Sequence, residues 1–308
     1  MTLPDLLQRT FEVRGDEALY RFANGLEIRT EVFNKDDPMR ILPLGTPQGS
    51  LMNHLLNFPE VVRGAHVFEP FAGSGALGFM ALTAGAAHVD FLDINPRAAD
   101  FQRDNAARNQ IAPARYEAIT GDIAAFNPAR PYDVLIANPP FVPTPDGIAG
   151  TLTSNGGREG NRFVDIMLRR LDALLAPHGR ALIYVFQLVR NGEPLVVDLL
   201  RTVQQRPIEI TPSQTDPLGL DTFCQAYASL FSSAGAAIER WRAALEQRHG
   251  AGLSLCHYIV DIGRRGEQAT RCILRDNFAE KFGAGFLVPS DHQLLALDRA
   301  YENYVSGG

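Results

Sequence analysis

From residue 65 onward, short apolar runs alternate with longer stretches of helical period. AHVFEP, AHVDFLD, ARYEAIT, YDVLIANPP and GRALIYVFQ read as strands. Between them ALGFMALTAG, RAADFQRDNAARNQ and FVDIMLRRLDALLA repeat their apolar residues on one helical face. Strands this continuously apolar are buried on both faces, so the alternation predicts βαβ units and a mostly parallel sheet covered by helices. Upstream, residues 17–33 form two alternating runs around Asn24-Gly25, a strong hairpin-turn signal. A Pro/Gly segment, ILPLGTPQGS, and an amphipathic helix near LMNHLLNF follow. Beyond residue 205, RPIEITPS and LSLCHYIVDIG predict two more strands, separated by a helical insertion of roughly 30 to 40 residues that contains Trp241. HQLLALDRAYENYV predicts a final helix. The expected organisation is an N-terminal hairpin and helix region (1–60), a ligand-binding core (61–210), and the end of the sheet with a helical lid and terminal helix (211–308).

Composition narrows the class. The 308 residues are 45% hydrophobic and 21% charged, ordinary for a globular chain with a real core. No run approaches the roughly 18 apolar residues of a membrane span, and the acidic N-terminus lacks a signal peptide's apolar stretch. A cytoplasmic protein is expected, with no membrane partner. Cys224, Cys256 and Cys272 form no CxxC pair, and the histidines no HxxxH or HExxH pair. Free thiols and no metal site are therefore expected. A net charge of −6 disfavours a nucleic-acid partner, which would want a basic face. The local arginine clusters, Arg158 with Arg162 and Arg169 with Arg170, read as solvated surface.

Candidate chemistry sits at the strand ends. The first core strand runs into Glu69-Pro70-Phe71-Ala72-Gly73-Ser74-Gly75-Ala76-Leu77-Gly78, whose glycines allow a tight turn and close approach of a ligand to the backbone. Read as GxGxxG, with Asp93 about 20 residues on, the loop admits a nicotinamide dinucleotide as well as other nucleoside cofactors. Glu69 discriminates between them. A carboxylate against the glycine turn repels a pyrophosphate but favours the ammonium and sulfonium of S-adenosylmethionine. Asp93, in FLDINP, is placed to accept both ribose hydroxyls, or to cap the helix that begins near Pro96. Asp122, in TGDIAAF, is placed to accept from an adenine amino group, or is a simple loop acid.

The fourth strand ends in Asn138-Pro139-Pro140-Phe141. Two prolines remove two N–H donors and leave carbonyl acceptors exposed, Asn138 adds a side-chain acceptor, and Phe141 an aromatic face. Such a slot suits a planar –NH2 group. Holding both N–H bonds while a methyl group lies in line would orient the nitrogen and stabilise the charge that develops on it. The bland alternative is a Pro-Pro turn closing a strand.

Taken in order, EPFAGSG, DINP, GD and NPPF resemble the class I S-adenosylmethionine-dependent methyltransferases, in the branch with an NPP(Y/F) motif. NPPFVPTPDG followed by Gly156-Gly157-Arg158-Glu159-Gly160 is similar to the HemK-type glutamine N-methyltransferases in particular. The resemblance spans about residues 40–190. It implies an α/β, Rossmann-like, seven-stranded and mostly parallel sheet whose last strand is antiparallel. It implies S-adenosyl-L-methionine as cofactor, held by Glu69, Phe71, Ala72, Gly73, Gly75, Asp93, Ile94, Asp122, Ile123 and Asn138. Asn138, Pro139 and Phe141 would grip the acceptor nitrogen. The implied substrate is an amide or amino nitrogen of a protein glutamine or a small molecule. Two other readings share the cofactor site: an enzyme that releases methylthioadenosine, and an rRNA base N-methyltransferase. The segment ILPLGTPQGSL departs from the acidic pattern usual before the first strand, and the additions after residue 205 leave room for a small metabolite under a lid.

Overall fold

The computed structural model describes residues 2–32, 37, 39–146, 148, 154–201, 205–230, 232–266 and 272–288. The predicted terminal helix, HQLLALDRAYENYV, lies outside the described residues. At the N-terminus β1 (Arg9–Arg14), β2 (Glu17–Phe22) and β3 (Glu27–Glu31) form a three-stranded antiparallel sheet. The hairpin around Asn24-Gly25 is β2 with β3, Gly25 taking φ +88° as its turn requires. The extra strand, β1, is exposed at nearly every position, so no buried face marks it in the sequence.

After α1 (Thr46–Asn57) come β4 (His66–Pro70), α2 (Ala76–Thr83), β5 (His88–Asp93), α3 (Pro96–Arg108), β6 (Tyr116–Thr120) and β7 (Tyr132–Ala137). The predicted helix near 163–176 breaks into α4 (Arg162–Arg169) and α5 (Leu171–Leu174), which lead into β8 (Leu175–Arg190). β9 (Glu193–Pro194), α6 (Val196–Leu200), β10 (Ile208–Pro212) and β11 (Leu218–Gly219) follow. The insertion then contributes α7 (Leu220–Leu230) and α8 (Gly235–His249) before β12 (Ser254–Ile262), β13 (Cys272–Leu274) and α9 (Phe278–Lys281).

The main sheet runs β13-β10-β12-β8-β7-β4-β5-β6, with β9 and β11 as short additions on β8 and β12. Pairing is parallel from β8 through β6, while β12 is antiparallel to both of its neighbours. This is the mixed, mostly parallel sheet of the class I methyltransferase fold. The strand count exceeds the seven expected, because β13 adds an edge strand parallel to β10 and the two-residue strands pair alongside.

Alternate residues of the central strands enter different cores, as the period of two demands. Val67, Val134 and Ile136 join one buried cluster, while Phe68, Leu135 and Ala137 join the other. The first cluster runs from Leu7 and Tyr20 through Leu51 and Phe79 to Phe282. Region 1–60 therefore packs into the core of the sheet domain rather than enclosing a core of its own. The seam is polar as well as apolar: the backbone N–H groups of Glu27 and Arg29 donate to Asn109 and Asn105 of α3, at 2.7 and 2.8 Å.

Candidate active site

The chain steps outward from β4 to β5 to β6, then reverses to lay β7 on the other side of β4. In an open α/β sheet such a reversal opens a crevice at the carboxyl ends of the strands. A cavity of about 310 Å³ lies there, near the lower end of the roughly 300–1,000 Å³ of small-molecule sites. Its wall includes Glu69, Phe71, Ala72, Gly73, Asp93, Ile94, Asp122, Ile123 and Asn138, so the structure gathers nine of the sequence candidates. Gly75, Pro139 and Phe141 are not among the lining residues, whereas Pro140 is.

The turn after β4 is unusual backbone. Phe71 takes φ +60°, Gly73 +50° and Gly75 +80°. A non-glycine residue at positive φ costs roughly 1–3 kcal/mol and persists where its surroundings over-determine it. The two glycines do different work. A Cβ on Gly73 would meet nothing closer than Ile41 at 4.0 Å, so this backbone faces open space in the cavity. A Cβ on Gly75 would meet Phe79 at 2.9 Å and Phe91 at 3.1 Å, so Gly75 lets α2 pack on β5.

Glu69 is buried at 3% exposure, with Oε2 accepting from the Gly78 N–H at 2.6 Å and Oε1 from Leu77 at 3.3 Å. It thus satisfies orphan donors in the first turn of α2 while also lining the cavity. Burial pushes its carboxyl up to about 8, against the two backbone hydrogen bonds, which favour the anion; the nearby Asp93 adds to the rise. Asp93 Oδ2 accepts from the Gly73 N–H at 2.8 Å, and Oδ1 from Asn95 at 2.9 Å. The helix cap is Asn95, whose side chain accepts from Arg97 N–H at 3.0 Å; Asp93 instead ties the glycine turn to the end of β5. Burial raises its carboxyl as well, against those backbone bonds. The carboxylate keeps acceptor capacity for a hydroxyl.

Asp122 is exposed and accepts from Ala124 N–H at 2.8 Å, a loop-shaping bond on a cavity-lining residue. Ile123 is buried, and Ile94 stands 52% exposed on the same cavity wall. An exposed isoleucine at a polar crevice is the natural cover for a flat apolar ring. Arg170 fixes this rim by donating to the carbonyl oxygens of Ile123 and Phe126.

At the far side stands Asn138. Its Oδ1 is buried and has no hydrogen-bond partner among the described residues. An unmet buried acceptor is costly, and this one belongs to a residue of the cavity wall. Phe141 lies off the cavity, packed against Tyr184 and edge-on to His257 at 5.9 Å. The aromatic wall comes from Phe163 and Phe71, in edge contact at 5.2 Å.

Several lining residues had no motif to announce them. Arg162, Phe163 and Ile166 come from α4, Ile41, Leu42 and Leu44 from the segment leading into α1, and Gln48 from its first turn. Arg162 is exposed and forms no ion pair among the described residues, leaving a cation at the mouth of an otherwise acidic cavity. The roof is thus N-terminal. No lining residue comes from the 220–250 insertion, which was expected to act as a lid. The insertion instead backs the segment after NPPF: Trp241 Nε1 donates to the Arg158 carbonyl at 2.9 Å, and His249 Nε2 lies 2.8 Å from Glu159.

Residues 50–153 match the family model of the methyltransferase small domain. The match supports S-adenosylmethionine as the cofactor. Its nucleoside suits Asp93, Ile94 and Asp122, and its cationic end suits a crevice lined by Glu69. The chain is 39% identical over 103 residues to a ribosomal protein L11 methyltransferase of Pseudomonas aeruginosa, covering 33% of this chain and 34% of that protein. It therefore spans about a third of the length of the L11 methyltransferases it matches. It is 26% identical over 144 residues to a Methanocaldococcus jannaschii protein named "Putative protein N5-glutamine methyltransferase", covering 46% of this chain and 70% of that one. Among solved structures, a tRNA m1G37 methyltransferase of M. jannaschii aligns with TM-score 0.45 and 12% identity, over 83% of this chain and 57% of that one. Among the described residues, no helix is long and apolar enough to cross a membrane.

Proposed function

We propose that the protein is an S-adenosylmethionine-dependent N-methyltransferase whose acceptor is a primary amide, that of a protein glutamine or of a small molecule. The observation that carries this reading is Asn138: a buried side-chain oxygen with no partner on the wall of the cofactor cavity. An amide –NH2 would fill that vacancy with one of its hydrogens. An amide nitrogen is a weak nucleophile, and a fixed acceptor both orients it and stabilises the charge that grows on it as the methyl group arrives. The proton becomes acidic only once nitrogen is methylated, so no general base need act first. The glutamine methyltransferase named among the relatives supports a glutamine acceptor, and the net charge of −6 weighs against RNA.

Asn138→Ala tests the reading. Loss of one preorganised hydrogen-bonding group typically costs a hundredfold or more in rate, by analogy with oxyanion-hole donors. Turnover is expected to collapse while affinity for S-adenosylmethionine changes little. Asn138→Asp keeps an acceptor and is expected to retain more activity than Asn138→Ala. Wild-type turnover in both variants would reduce NPPF to a strand-ending turn.

A further inference from the structure

At the opposite ends of the same strands, away from the crevice, β4 and β5 each begin on a histidine. The parallel register sets His66 beside His88, and Asp90 follows two residues on, on the same face as His88. Among the described residues these three bring ligand atoms within 4.8 Å of one another. His88 Nε2 lies 2.9 Å from Asp90 Oδ1, and His66 Nε2 lies 3.2 Å from Asp90 Oδ2.

The hydrogen-bond roles do not close as they stand. His88 Nδ1 faces the carbonyl oxygen of Ala114 at 3.0 Å, an atom that only accepts. A neutral ring with its proton there turns the lone pair of Nε2 toward a carboxylate oxygen. That contact is repulsive unless a cation stands between the two, or the ring takes a second proton. His66 is nine-tenths buried, and among the described residues neither of its ring nitrogens meets the full geometry of a hydrogen bond, although Nε2 stands close to Asp90. Asp90 is also buried, and its Oδ2 is further fixed by the Tyr132 hydroxyl, which donates at 2.7 Å.

We propose that His66, His88 and Asp90 form a binding site for a divalent transition metal of the Zn²⁺ class, with its fourth position open to solvent beside the partly exposed His88. Two imidazoles and a carboxylate are a suitable donor set for such an ion. Ligand atoms around a tetrahedral ion with bonds near 2.05 Å stand about 3.3 Å apart. The two His–Asp90 separations, each to a different oxygen of the carboxylate, are within a few tenths of an ångström of that, and the three ligand atoms, which lie within 4.8 Å of one another, would draw together around the ion. The Ala114 carbonyl and the Tyr132 hydroxyl then serve as the outer partners that orient metal ligands. The ion would cross-link β4 to β5 far from the cofactor cavity, so its role is structural. It would have left no trace in sequence spacing, because the ligands meet only through strand register.

Co²⁺ is the probe, since its visible absorption reports tetrahedral nitrogen and oxygen ligation. Titration of the metal-stripped protein is expected to show one Co²⁺ per chain, displaced by Zn²⁺, with a rise in Tm. His88→Ala removes a partly exposed ligand without emptying the core, and is expected to weaken binding at least about a hundredfold, beyond the 10–100-fold typical of outer-partner loss. His178→Ala, at the nearby exposed His178–Asp133 pair, is expected to bind as wild type. Absence of stoichiometric binding, or binding unchanged by His88→Ala, overturns the proposal.

Discussion

We expect Glu69 to make binding of S-adenosylmethionine a proton-linked event. The Glu69 carboxyl is pushed up to about 8, chiefly by burial. At pH 7 a group of that pKa is roughly nine-tenths protonated. A sulfonium and an ammonium brought into the cavity favour the anion, so binding at pH 7 should release close to one proton. Affinity should then rise with pH by up to about tenfold per unit and level off above pH 8. Calorimetry in two buffers of different ionisation enthalpy reads the proton count directly. Glu69→Gln removes the titrating group but retains one acceptor for the first turn of α2, and is expected to abolish the release. The folded protein alone carries the matching signature. A carboxyl raised from 4.5 contributes stability that is fully present below pH 4.5 and lost as pH rises toward 8, at up to about 1.4 kcal/mol per unit. The wild-type Tm should therefore fall, relative to Glu69→Gln, across that window, and saturating cofactor should remove the fall. Proton release that is absent in wild type, or equal in Glu69→Gln, would refute the argument.

Two further predictions separate binding from scaffolding. Asp93→Ala should weaken S-adenosylmethionine binding by about 1.5–3 kcal/mol, the scale of lost charge-assisted hydrogen bonds, and it should also lower Tm because the Gly73 and Asn95 N–H groups lose their acceptor. Affinity equal to wild type would leave Asp93 a loop tie alone. Gly75→Ala should cost more than about 1–2 kcal/mol of stability, since a left-handed backbone and contacts with Phe79 and Phe91 add together. Gly73→Ala meets only the backbone cost but faces the cavity, so it should lose more in cofactor affinity than in denaturation midpoint.

The main sheet was legible because its central strands, β4, β5, β7 and β8, are largely buried and stand out as apolar runs. The cofactor candidates were legible because they are contiguous peptides at strand ends, where the chain must turn. What the sequence hid depends on direction and register. Arg162 reads as one of a cluster of solvated arginines, and only the placement of α4 brings it and Phe163 to the cavity. Ile41 to Gln48 read as part of a Pro/Gly segment, yet four of them line the crevice, beside the small N-terminal sheet that Asn105 and Asn109 tie to α3. Phe141 shares a tetrapeptide with Asn138 but follows two prolines that turn the chain, and its ring goes to Tyr184. The insertion's helical period was plain, but that it would brace Arg158 and Glu159 rather than cover the ligand was not.

The central claim is that this cavity moves a methyl group from S-adenosylmethionine to an amide nitrogen. Cofactor labelled separately in its methyl group and in its aminobutyrate chain, incubated with the protein and a glutamine-containing peptide, tests it most directly by mass spectrometry. The account predicts the methyl label on the side-chain amide nitrogen, with S-adenosylhomocysteine released in equal amount. Transfer of the aminobutyrate label with release of methylthioadenosine, or methylation of carbon or oxygen in place of the amide, would contradict it.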